Sequence, residues 1–197
     1  MFIGGKQMMI RDLIKKNRSY RKFYGDFLIK RETLEELVDL ARLSASGANK
    51  QPLKFVLSYG ESKNKLIFPN IGWAAYIKDW TGPTENERPS AYIIILGDKQ
   101  ISQNCKCDAG VAAQSILLGA TEKGLGGCIF GSVKREELKI ALKIKDEYDV
   151  LYVLALGKPR EKIVIEKTNS KGDTQYWRDN QGILHIPKKP LNKIILE

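Results

Sequence analysis

The apolar segment at residues 91–96 limits the folds that this chain can adopt. It reads Ala-Tyr-Ile-Ile-Ile-Leu, contains no charged residue and is followed by Gly97. A short, uninterrupted apolar run rich in β-branched residues is typical of a strand buried on both faces. Residues 150–156 form a second apolar run, which is followed by Gly157. We therefore expect both segments to be core strands.

The other segments add helices in an irregular order. Thr33 and Glu36 have the spacing of a capping box, and the apolar stripe that follows them stops near Leu43. The patterns also predict helices at residues 9–16, 108–123 and 134–143, and strands at residues 54–59 and 126–131. Because helices and strands are mixed without a regular βαβ alternation, the order favours an α+β fold. We expect one domain over residues 9–197, with a disordered start at residues 1–8.

The chain is strongly basic, but its positive charge is not concentrated in one segment. It has 33 Lys and Arg residues against 23 Asp and Glu residues, a net charge of +10. Nucleic-acid binding would suit such a charge, yet Lys188 and Lys189 form only a short basic run. The chain has no aromatic–basic RNA-binding signature and no zinc-finger spacing. A solvated basic surface is the better interpretation, and we expect no nucleic-acid partner.

Cysteine and histidine usage argues against a metal centre. Cys105, Cys107 and Cys128 fit neither zinc spacing nor a redox C-x-x-C motif, and His185 is the only histidine. No stretch approaches the roughly 18 apolar residues of a membrane helix, and the N-terminus lacks the apolar core of a signal peptide. We therefore expect a cytoplasmic protein with reduced thiols, no metal and no membrane association.

A basic segment at the end of the first predicted helix could bind phosphate. Arg18, Ser19 and Arg21 lie within four residues of each other. Guanidinium groups donate in a planar fork that matches phosphate oxygens, and serine adds a short donor. The alternative is a solvated basic turn, since basic clusters commonly line exposed faces.

A second segment could bind a heteroaromatic ring. Ser46, Asn49 and Gln51 occupy a turn-rich segment that ends at Pro52. Amide side chains offer both donors and acceptors, which a ring with alternating carbonyls and ring nitrogens requires. The alternative is an ordinary loop between a helix and a strand.

A third segment is rich in small residues. Residues 108–114 read Asp-Ala-Gly-Val-Ala-Ala-Gln, and residues 124–127 read Gly-Leu-Gly-Gly. Small residues let a flat ligand or another backbone approach closely, but they also suit tight packing of a core helix. The chain has no Rossmann fingerprint, P-loop or Ser-His-Asp pattern. An enzyme with so few acid–base candidates would depend on a cofactor for its chemistry.

Taken together, these segments resemble the nitroreductase family of flavoproteins. The run R-S-x-R-x-F at residues 18–23 resembles the family's N-terminal FMN-phosphate motif, and N-x-Q-P at residues 49–52 resembles the end of its second motif. The block D-x-G-x-A-x-Q followed by G-L-G-G-C is the closest match, and L-A-L-G-K-P at residues 154–159 resembles the exit of the last core strand. The resemblance covers most of residues 10–160.

The resemblance implies an α+β, nitroreductase-like fold with a central mixed β-sheet flanked by helices. It also implies a homodimer with FMN in each of two clefts at the subunit interface. Residues 160–197 would form a C-terminal extension that reaches the partner subunit. Its apolar end, residues 194–196, could dock on its own core or on another subunit. NADH or NADPH would reduce the flavin, which would then reduce a small acceptor such as a nitroaromatic or quinone in a ping-pong cycle.

The resemblance also implies roles for individual residues. The flavin carries the chemistry, so no catalytic side chain is expected. Arg18, Ser19 and Arg21 would hold the phosphate, with Lys189 completing the site. The remaining cofactor-binding residues would line the ribityl chain and ring, partly from the partner subunit: Ser46, Asn49, Gln51, Gly126 and Gly127. Lys50 is a candidate for stabilising the charge of reduced flavin.

Three positions depart from the family pattern and bear on the acceptor. Asn17 stands where many members have arginine, Ala45 replaces a common proline, and Leu53 replaces a common tryptophan. Alternative activities are other flavin chemistry within the family, such as flavin reduction, enone reduction or dehalogenation, and non-catalytic flavin binding. Trp73, Tyr76 and Trp80 could form a lid over the ring or could be core aromatics.

Overall fold

The computed structural model describes residues 9–74, 76–77 and 80–196, so the disordered start expected at residues 1–8 lies outside the described part. Its helices are α1 (Ile10–Lys16), α2 (Arg31–Arg42), α3 (Glu61–Ile67), α4 (Lys106–Glu122) and α5 (Arg135–Leu142). Its strands are β1 (Phe23–Tyr24), β2 (Leu53–Ser58), β3 (Ala91–Asp98), β4 (Gly126–Phe130), β5 (Tyr148–Pro159), β6 (Ile163–Lys167), β7 (Trp177–Arg178) and β8 (Leu184–Lys188). None of the described helices combines the length and the hydropathy needed to cross a bilayer.

Strand β5 lies at the centre of the main sheet. Its residue Leu156 pairs with Ala91 of β3 on one edge and with Gly127 of β4 on the other. Strand β2 pairs with β3, and the short β1 pairs with the end of β5. These ladders are antiparallel, and a parallel bridge between Ser19 and Gly127 makes the sheet mixed. The prediction of an α+β fold with a central mixed sheet is confirmed.

Both faces of the main sheet are covered, which explains the uninterrupted apolar run in β3. Ile93 and Ile95 pack into one core with α2 and α4, whereas Ile94 packs into a second core with Phe130 and with Leu138 of α5. All eight residues of β3 are buried. Each fully buried isoleucine contributes roughly 1.5–3 kcal/mol relative to an exposed one. The prediction that this strand is buried on both faces is therefore confirmed.

The start of α2 differs from the sequence prediction. The helix begins at Arg31 with Lys30 as its N-cap and has no side-chain cap, so the capping box expected from Thr33 and Glu36 is wrong. The carboxylate of Glu36 instead pairs with the ammonium group of Lys123 at the end of α4. In a capping box, the Glu36 side chain would instead bond a backbone N–H group at the start of its own helix. The ion pair with the neighbouring helix directs it elsewhere.

The polar C-terminal segment forms a small sheet of its own. Strand β8 pairs in parallel with β6 and antiparallel with β7. The last described residues, Ile194, Ile195 and Leu196, are exposed, Leu196 at 93%. Of the two expectations for this apolar end, docking on the core of its own chain is wrong.

Candidate functional site

The basic segment after α1 is attached to the free edge of strand β4. Ser19 forms a parallel bridge with Gly127, and the backbone N–H of Tyr20 donates to the Gly127 carbonyl at 3.0 Å. The hydroxyl of Tyr20 reaches back to the carbonyl of Lys16, the last residue of α1, at 3.1 Å. The segment is therefore held at both ends, and its arginines have a fixed position relative to the sheet.

A cavity of about 280 Å³ opens beside this segment, and we call it the arginine pocket. Its charged lining residues are the cations Arg18, Arg21 and Lys188, and no carboxylate lines it. The remaining lining residues come from four parts of the chain: Asn17 and Ser19, Gln114 and Leu117 of α4, Gly127 and Ile129 of β4, and Tyr176 and Ile186 of the C-terminal segment. Three cations without a carboxylate make this pocket suited to an anion.

Both arginines of the pocket have unused hydrogen-bond donors. The Nε atoms of Arg18 and Arg21 are buried, and neither has a partner among the described residues. One terminal nitrogen of Arg18 donates to the Ile14 carbonyl at 2.5 Å, and one of Arg21 donates to the Ser19 carbonyl at 3.2 Å. Burial lowers the pKa of Arg18, but a guanidinium stays protonated in proteins. Buried donors without acceptors are costly, and an anion in the pocket would satisfy them.

Glu161 fixes the backbone of the basic segment from the far end of the chain. Its carboxylate accepts hydrogen bonds from the backbone N–H groups of Arg21 and Lys22, the latter at 3.2 Å. The same side chain, which is 2% exposed, forms an ion pair with Arg178 at 2.8 Å. Glu161 thereby joins the basic segment to the C-terminal sheet. No local pattern indicates this role, because about 140 positions separate Glu161 from Arg21.

The C-terminal sheet supplies one wall of the arginine pocket. Ile186 and Lys188 of β8 line the pocket, whereas Lys189, the residue expected to complete the phosphate site, is not among the lining residues. The two lysines differ because side chains alternate along a strand, so Lys188 shares a face with Ile186. Tyr176 also lines the pocket, and the guanidinium carbon of Arg21 lies 5.0 Å from the centre of its ring.

The three aromatic residues considered for a lid lie in different surroundings. Trp73 packs in the second core, with its ring centre 4.7 Å from that of Phe130 and 6.0 Å from that of Trp80. Tyr76 is exposed and packs edge-on against Tyr176, with ring centres 5.1 Å apart. Trp73 is therefore a core aromatic, and Tyr76 is the one in contact with a pocket-lining residue.

The loop at residues 46–51, which we call the amide loop, lies beside a second cavity of about 150 Å³. Asp108 in the first turn of α4 anchors it. The Gly47 N–H donates to the Asp108 carboxylate at 2.9 Å and the Ser46 hydroxyl donates at 3.2 Å. The Ser46 hydroxyl also accepts the Gln51 N–H at 2.9 Å. Ser46 and Gln51 line this cavity together with Ala45, Leu53 and Asp108.

The amide loop has an unusual backbone. Ala48, Asn49 and Gln51 have φ angles of 49°, 53° and 51°, in the left-handed region that non-glycine residues rarely adopt. The side chains of Asn49, Lys50 and Gln51 are exposed, and the Gln51 amide donates to the Asn49 side-chain oxygen at 3.2 Å. Strained backbone of this kind occurs often at ligand sites, and here it presents two amides and a lysine outward.

Packing within the chain requires glycine at both Gly126 and Gly127. A Cβ atom at Gly126 would lie 2.5 Å from the ring of Tyr20, and one at Gly127 would lie 2.5 Å from the carbonyl oxygen of Ala155. Of the two glycines, only Gly127 is among the residues that line the arginine pocket. Their small size is therefore explained by close packing of the basic segment, β4 and β5.

The residues predicted from the sequence thus form two groups. Arg18, Ser19, Arg21 and Gly127 line the arginine pocket, while Ser46 and Gln51 line the cavity of the amide loop, beside Asn49. The three positions that depart from the family pattern line the same two cavities: Asn17, Ala45 and Leu53. Within the described part of the chain, His, Cys, Asp and Glu residues form no group of three or more that could hold a metal ion.

Comparison with known proteins agrees with this architecture. A model of the nitroreductase family matches residues 14–158. A protein from Archaeoglobus fulgidus named "Putative NADH dehydrogenase/NAD(P)H nitroreductase" is 27% identical over 157 residues, which cover 76% of this chain and 84% of that protein. The solved structure of an FMN-dependent nitroreductase from Clostridium difficile R20291 has a TM-score of 0.66 and 23% identity, and the match covers 87% of this chain and 99% of that one.

A second solved structure, a nitroreductase family protein from Streptococcus pneumoniae TIGR4, has a TM-score of 0.70 and 17% identity. That match covers 96% of this chain and 100% of the other. These structures share the fold of the chain, and the family model spans well over half of its 197 residues. The chain therefore belongs to the nitroreductase family.

Proposed function

We propose that this protein is an FMN-dependent oxidoreductase that transfers hydride from NADH or NADPH through the flavin to a small acceptor, such as a nitroaromatic or quinone, in a ping-pong cycle. The observation that carries the proposal is the arginine pocket, where the buried Nε atoms of Arg18 and Arg21 have no partner among the described residues. The FMN-dependent nitroreductase from C. difficile and the relative named for NAD(P)H support the choice of cofactor and reductant.

The residues of the arginine pocket fit a phosphate. Phosphate monoesters carry nearly two negative charges at neutral pH, and two guanidinium groups, one lysine and the Ser19 hydroxyl supply donors for their oxygens. Glu161 fixes the backbone of this segment, so the donors are positioned before the ligand arrives. We assign to Lys188 the role that the resemblance implies for Lys189, because Lys188 lines the pocket and Lys189 does not.

The size of the cavities favours a cleft shared by two subunits. The arginine pocket has about 280 Å³ and the amide-loop cavity about 150 Å³, whereas small-molecule sites commonly have about 300–1,000 Å³. We therefore propose a homodimer in which the amide loop of one copy completes the arginine pocket of its partner. Asn49 and Gln51 would bond the polar edge of the ring, and Lys50 would balance the charge that develops there on reduction.

The bound flavin would supply the two-electron chemistry. The chain would therefore need only to bind the flavin, to orient the substrate and to exclude water. Tyr176 and Ile186 form the wall of the arginine pocket and limit the access of solvent and acceptor. Because Asn17, Ala45 and Leu53 line the two cavities, we expect these departures to influence which acceptor is used. The three free cysteines suit a reducing compartment, and we place the activity in the cytoplasm.

The phosphate assignment is tested by FMN titration of the wild type and of the double variant Arg18→Ala/Arg21→Ala. Losing two charge-assisted contacts, each contributing about 1.5–3 kcal/mol, should weaken FMN binding by at least about a hundredfold. Flavin absorbance after gel filtration and fluorescence quenching give the dissociation constants. Arg31→Ala/Lys145→Ala is the matched control, because it removes the same charge from exposed ion pairs. Unchanged FMN affinity in the arginine variant would show that the phosphate binds elsewhere.

The activity itself is tested under anaerobic conditions. NADH or NADPH should bleach the flavin absorbance of the loaded protein, and a nitroaromatic or quinone should restore it. Comparing the two nicotinamides gives the preferred reductant, and a panel of nitroaromatics, quinones, enones, halogenated aromatics and free flavin separates the activities known in the family. A flavin that stays oxidised with both nicotinamides would instead indicate a flavin carrier.

A further inference from the structure

We propose that a further cavity, which we call the Arg88 cavity, binds a small aromatic carboxylate. The cavity has about 690 Å³, larger than the arginine pocket, and shares no lining residue with it. Its walls come from α3, from the turn after β1 and from residues 85–90, which lead into β3. This volume lies within the usual range for small-molecule sites.

Arg88 is half-buried in this cavity and lacks a counter-ion. Its Nε atom is buried without a hydrogen-bond partner, and its side chain forms no ion pair among the described residues. The guanidinium carbon lies 4.1 Å from the centre of the Phe68 ring, so stacking fixes the plane of the donor fork. Lys65, the neighbouring cation, is already paired with Glu61 at 2.5 Å. Arg160 also lines the cavity without an ion pair among the described residues, and its guanidinium carbon lies 5.9 Å from the centre of the Tyr24 ring. Arg88 is the lining cation that has a buried donor without a partner.

A second unsatisfied donor lies two residues further along the chain. Ser90 is 6% exposed, lines the same cavity, and has a buried hydroxyl with no partner among the described residues. Tyr92 lines the cavity as well, and burial raises its pKa, so its hydroxyl keeps the proton and can donate. Buried donors without acceptors are rare, and the two at Arg88 and Ser90 around one cavity are explained by an acceptor group on a ligand.

The other lining residues define the ligand further. Four aromatic rings line the cavity, which suits a flat apolar body: Tyr24, Tyr59, Phe68 and Tyr92. Three acidic side chains, Asp26, Glu61 and Glu85, balance the three basic ones, Lys65, Arg88 and Arg160. A balanced lining disfavours a multiply charged anion such as phosphate, whereas a single carboxylate matches the planar fork of one arginine.

The test is calorimetric titration of the FMN-loaded protein with benzoate, with three further probes for comparison. Benzamide keeps the shape and removes the charge, cyclohexanecarboxylate keeps the charge and removes the aromatic ring, and inorganic phosphate tests for a general anion site. We expect benzoate to bind at least about tenfold more tightly than benzamide, because the charge-assisted bonds to Arg88 are lost with the amide. The flavin absorbance should stay unchanged, because the Arg88 cavity is separate from the arginine pocket.

Two variants locate the binding. Arg88→Met keeps the apolar stem over Phe68 and should weaken benzoate binding about tenfold or more. Ser90→Ala removes a hydroxyl that has no partner in the chain, so it should fold normally and weaken benzoate binding several-fold. Lys145→Met, at an exposed surface position, is the charge-matched control and should bind benzoate like the wild type.

Three results would overturn the proposal. The first is no benzoate binding at millimolar concentration. The second is a benzoate affinity that is the same in the wild type and in each of the two single variants, Arg88→Met and Ser90→Ala. This result would place the ligand elsewhere. The third is benzoate binding that shifts the flavin absorbance and persists in Arg88→Met, which would place the ligand beside the flavin.

Discussion

Lys188 and Lys189 are neighbours in sequence, but they have different surroundings. Both are exposed, but Lys188, the last residue of β8, lines the arginine pocket, whereas Lys189 follows the strand and does not. Local sequence does not distinguish them, because the face that a strand residue occupies depends on where the strand begins and what it pairs with. The distinction comes from the pairing of β8 with β6 and β7.

This difference gives a matched pair of single variants. Lys188→Ala should raise the dissociation constant for FMN about tenfold, since one partly exposed phosphate contact is lost. Lys189→Ala removes the same charge from a residue that does not line the pocket and should change the affinity less than about twofold. Fluorescence titration with FMN measures both. Equal losses in the two variants would mean that only the overall positive charge of this segment matters.

The grouping of candidate site residues could be predicted where they lie close together in the sequence. Arg18, Ser19 and Arg21 were found from four consecutive positions, and the structure places all three around one pocket. Glu161, which fixes the backbone of the basic segment, and Tyr176, which lines the pocket, could not be predicted because they reach the segment only through the tertiary fold. Neither belongs to a local pattern that indicates a ligand.

At the level of elements, His185 holds the C-terminal sheet together. It stacks on Trp177 with ring centres 4.1 Å apart. One ring nitrogen lies 3.0 Å from the Glu166 carboxylate and the other lies 3.2 Å from the Asp179 carboxylate. Only the protonated imidazole can donate to both. Both hydrogen bonds raise the pKa of His185, and the bond to Asp179 has the larger effect.

The stability of the C-terminal sheet should therefore depend on pH. Because the pKa of His185 is higher in the folded state than its ordinary value of about 6.5, the stabilisation is fully present below that value and is lost as pH rises through the raised pKa. Amide protection in β8, corrected for the intrinsic pH dependence of exchange, should be constant below about pH 6.5 and should fall as the pH rises through the raised pKa of His185. Hydrogen–deuterium exchange and NMR titration of the imidazole measure both quantities.

The variant His185→Gln provides the control for this effect. Glutamine can keep one hydrogen bond but cannot change its charge, so the pH dependence of β8 protection should disappear. Persistence of the same pH dependence in this variant would assign it to another group. Protection in the wild type that is constant over the same range would show that the double contact contributes nothing measurable.

Elements could be predicted where burial leaves a strong pattern. Strands β3 and β5 were found because both are apolar over long runs, and α4 because it is central and buried on several sides. The C-terminal sheet was not predicted. Its strands β6, β7 and β8 have at most five residues and are mostly only partly buried, and they are fixed by pairings between distant segments and by the His185 contacts.

At the scale of the whole molecule, apolar residues remain exposed on the helical face formed by α1, α2 and α4. Helix α1 has no buried residue, and its Ile10 and Ile14 are 60% and 46% exposed. Leu43, after the end of α2, and Val111 of α4 are also exposed. An amphipathic helix gains most of its stability by burying its apolar side, so we infer that this face is the interface of the proposed dimer. Two helices of this face lead directly into the two proposed halves of the flavin cleft. Helix α1 precedes the basic segment, and α2 precedes the amide loop.

A charge placed on this face tests whether dimerisation and flavin binding are coupled. Ile14→Asp should leave the fold of the chain intact, because the side chain is half-exposed, but should weaken dimerisation at least about a hundredfold by burying an unpaired carboxylate. Since the amide loop of the partner would complete the cleft, FMN should be lost together with the dimer.

Ile140→Asp is the matched control: Ile140 is 79% exposed on α5, which packs on the opposite face of the sheet. Light scattering after gel filtration gives the mass, and absorbance gives the flavin content. A wild-type monomer that binds FMN fully, or an Ile14→Asp monomer that retains FMN, would show that one chain suffices for the site.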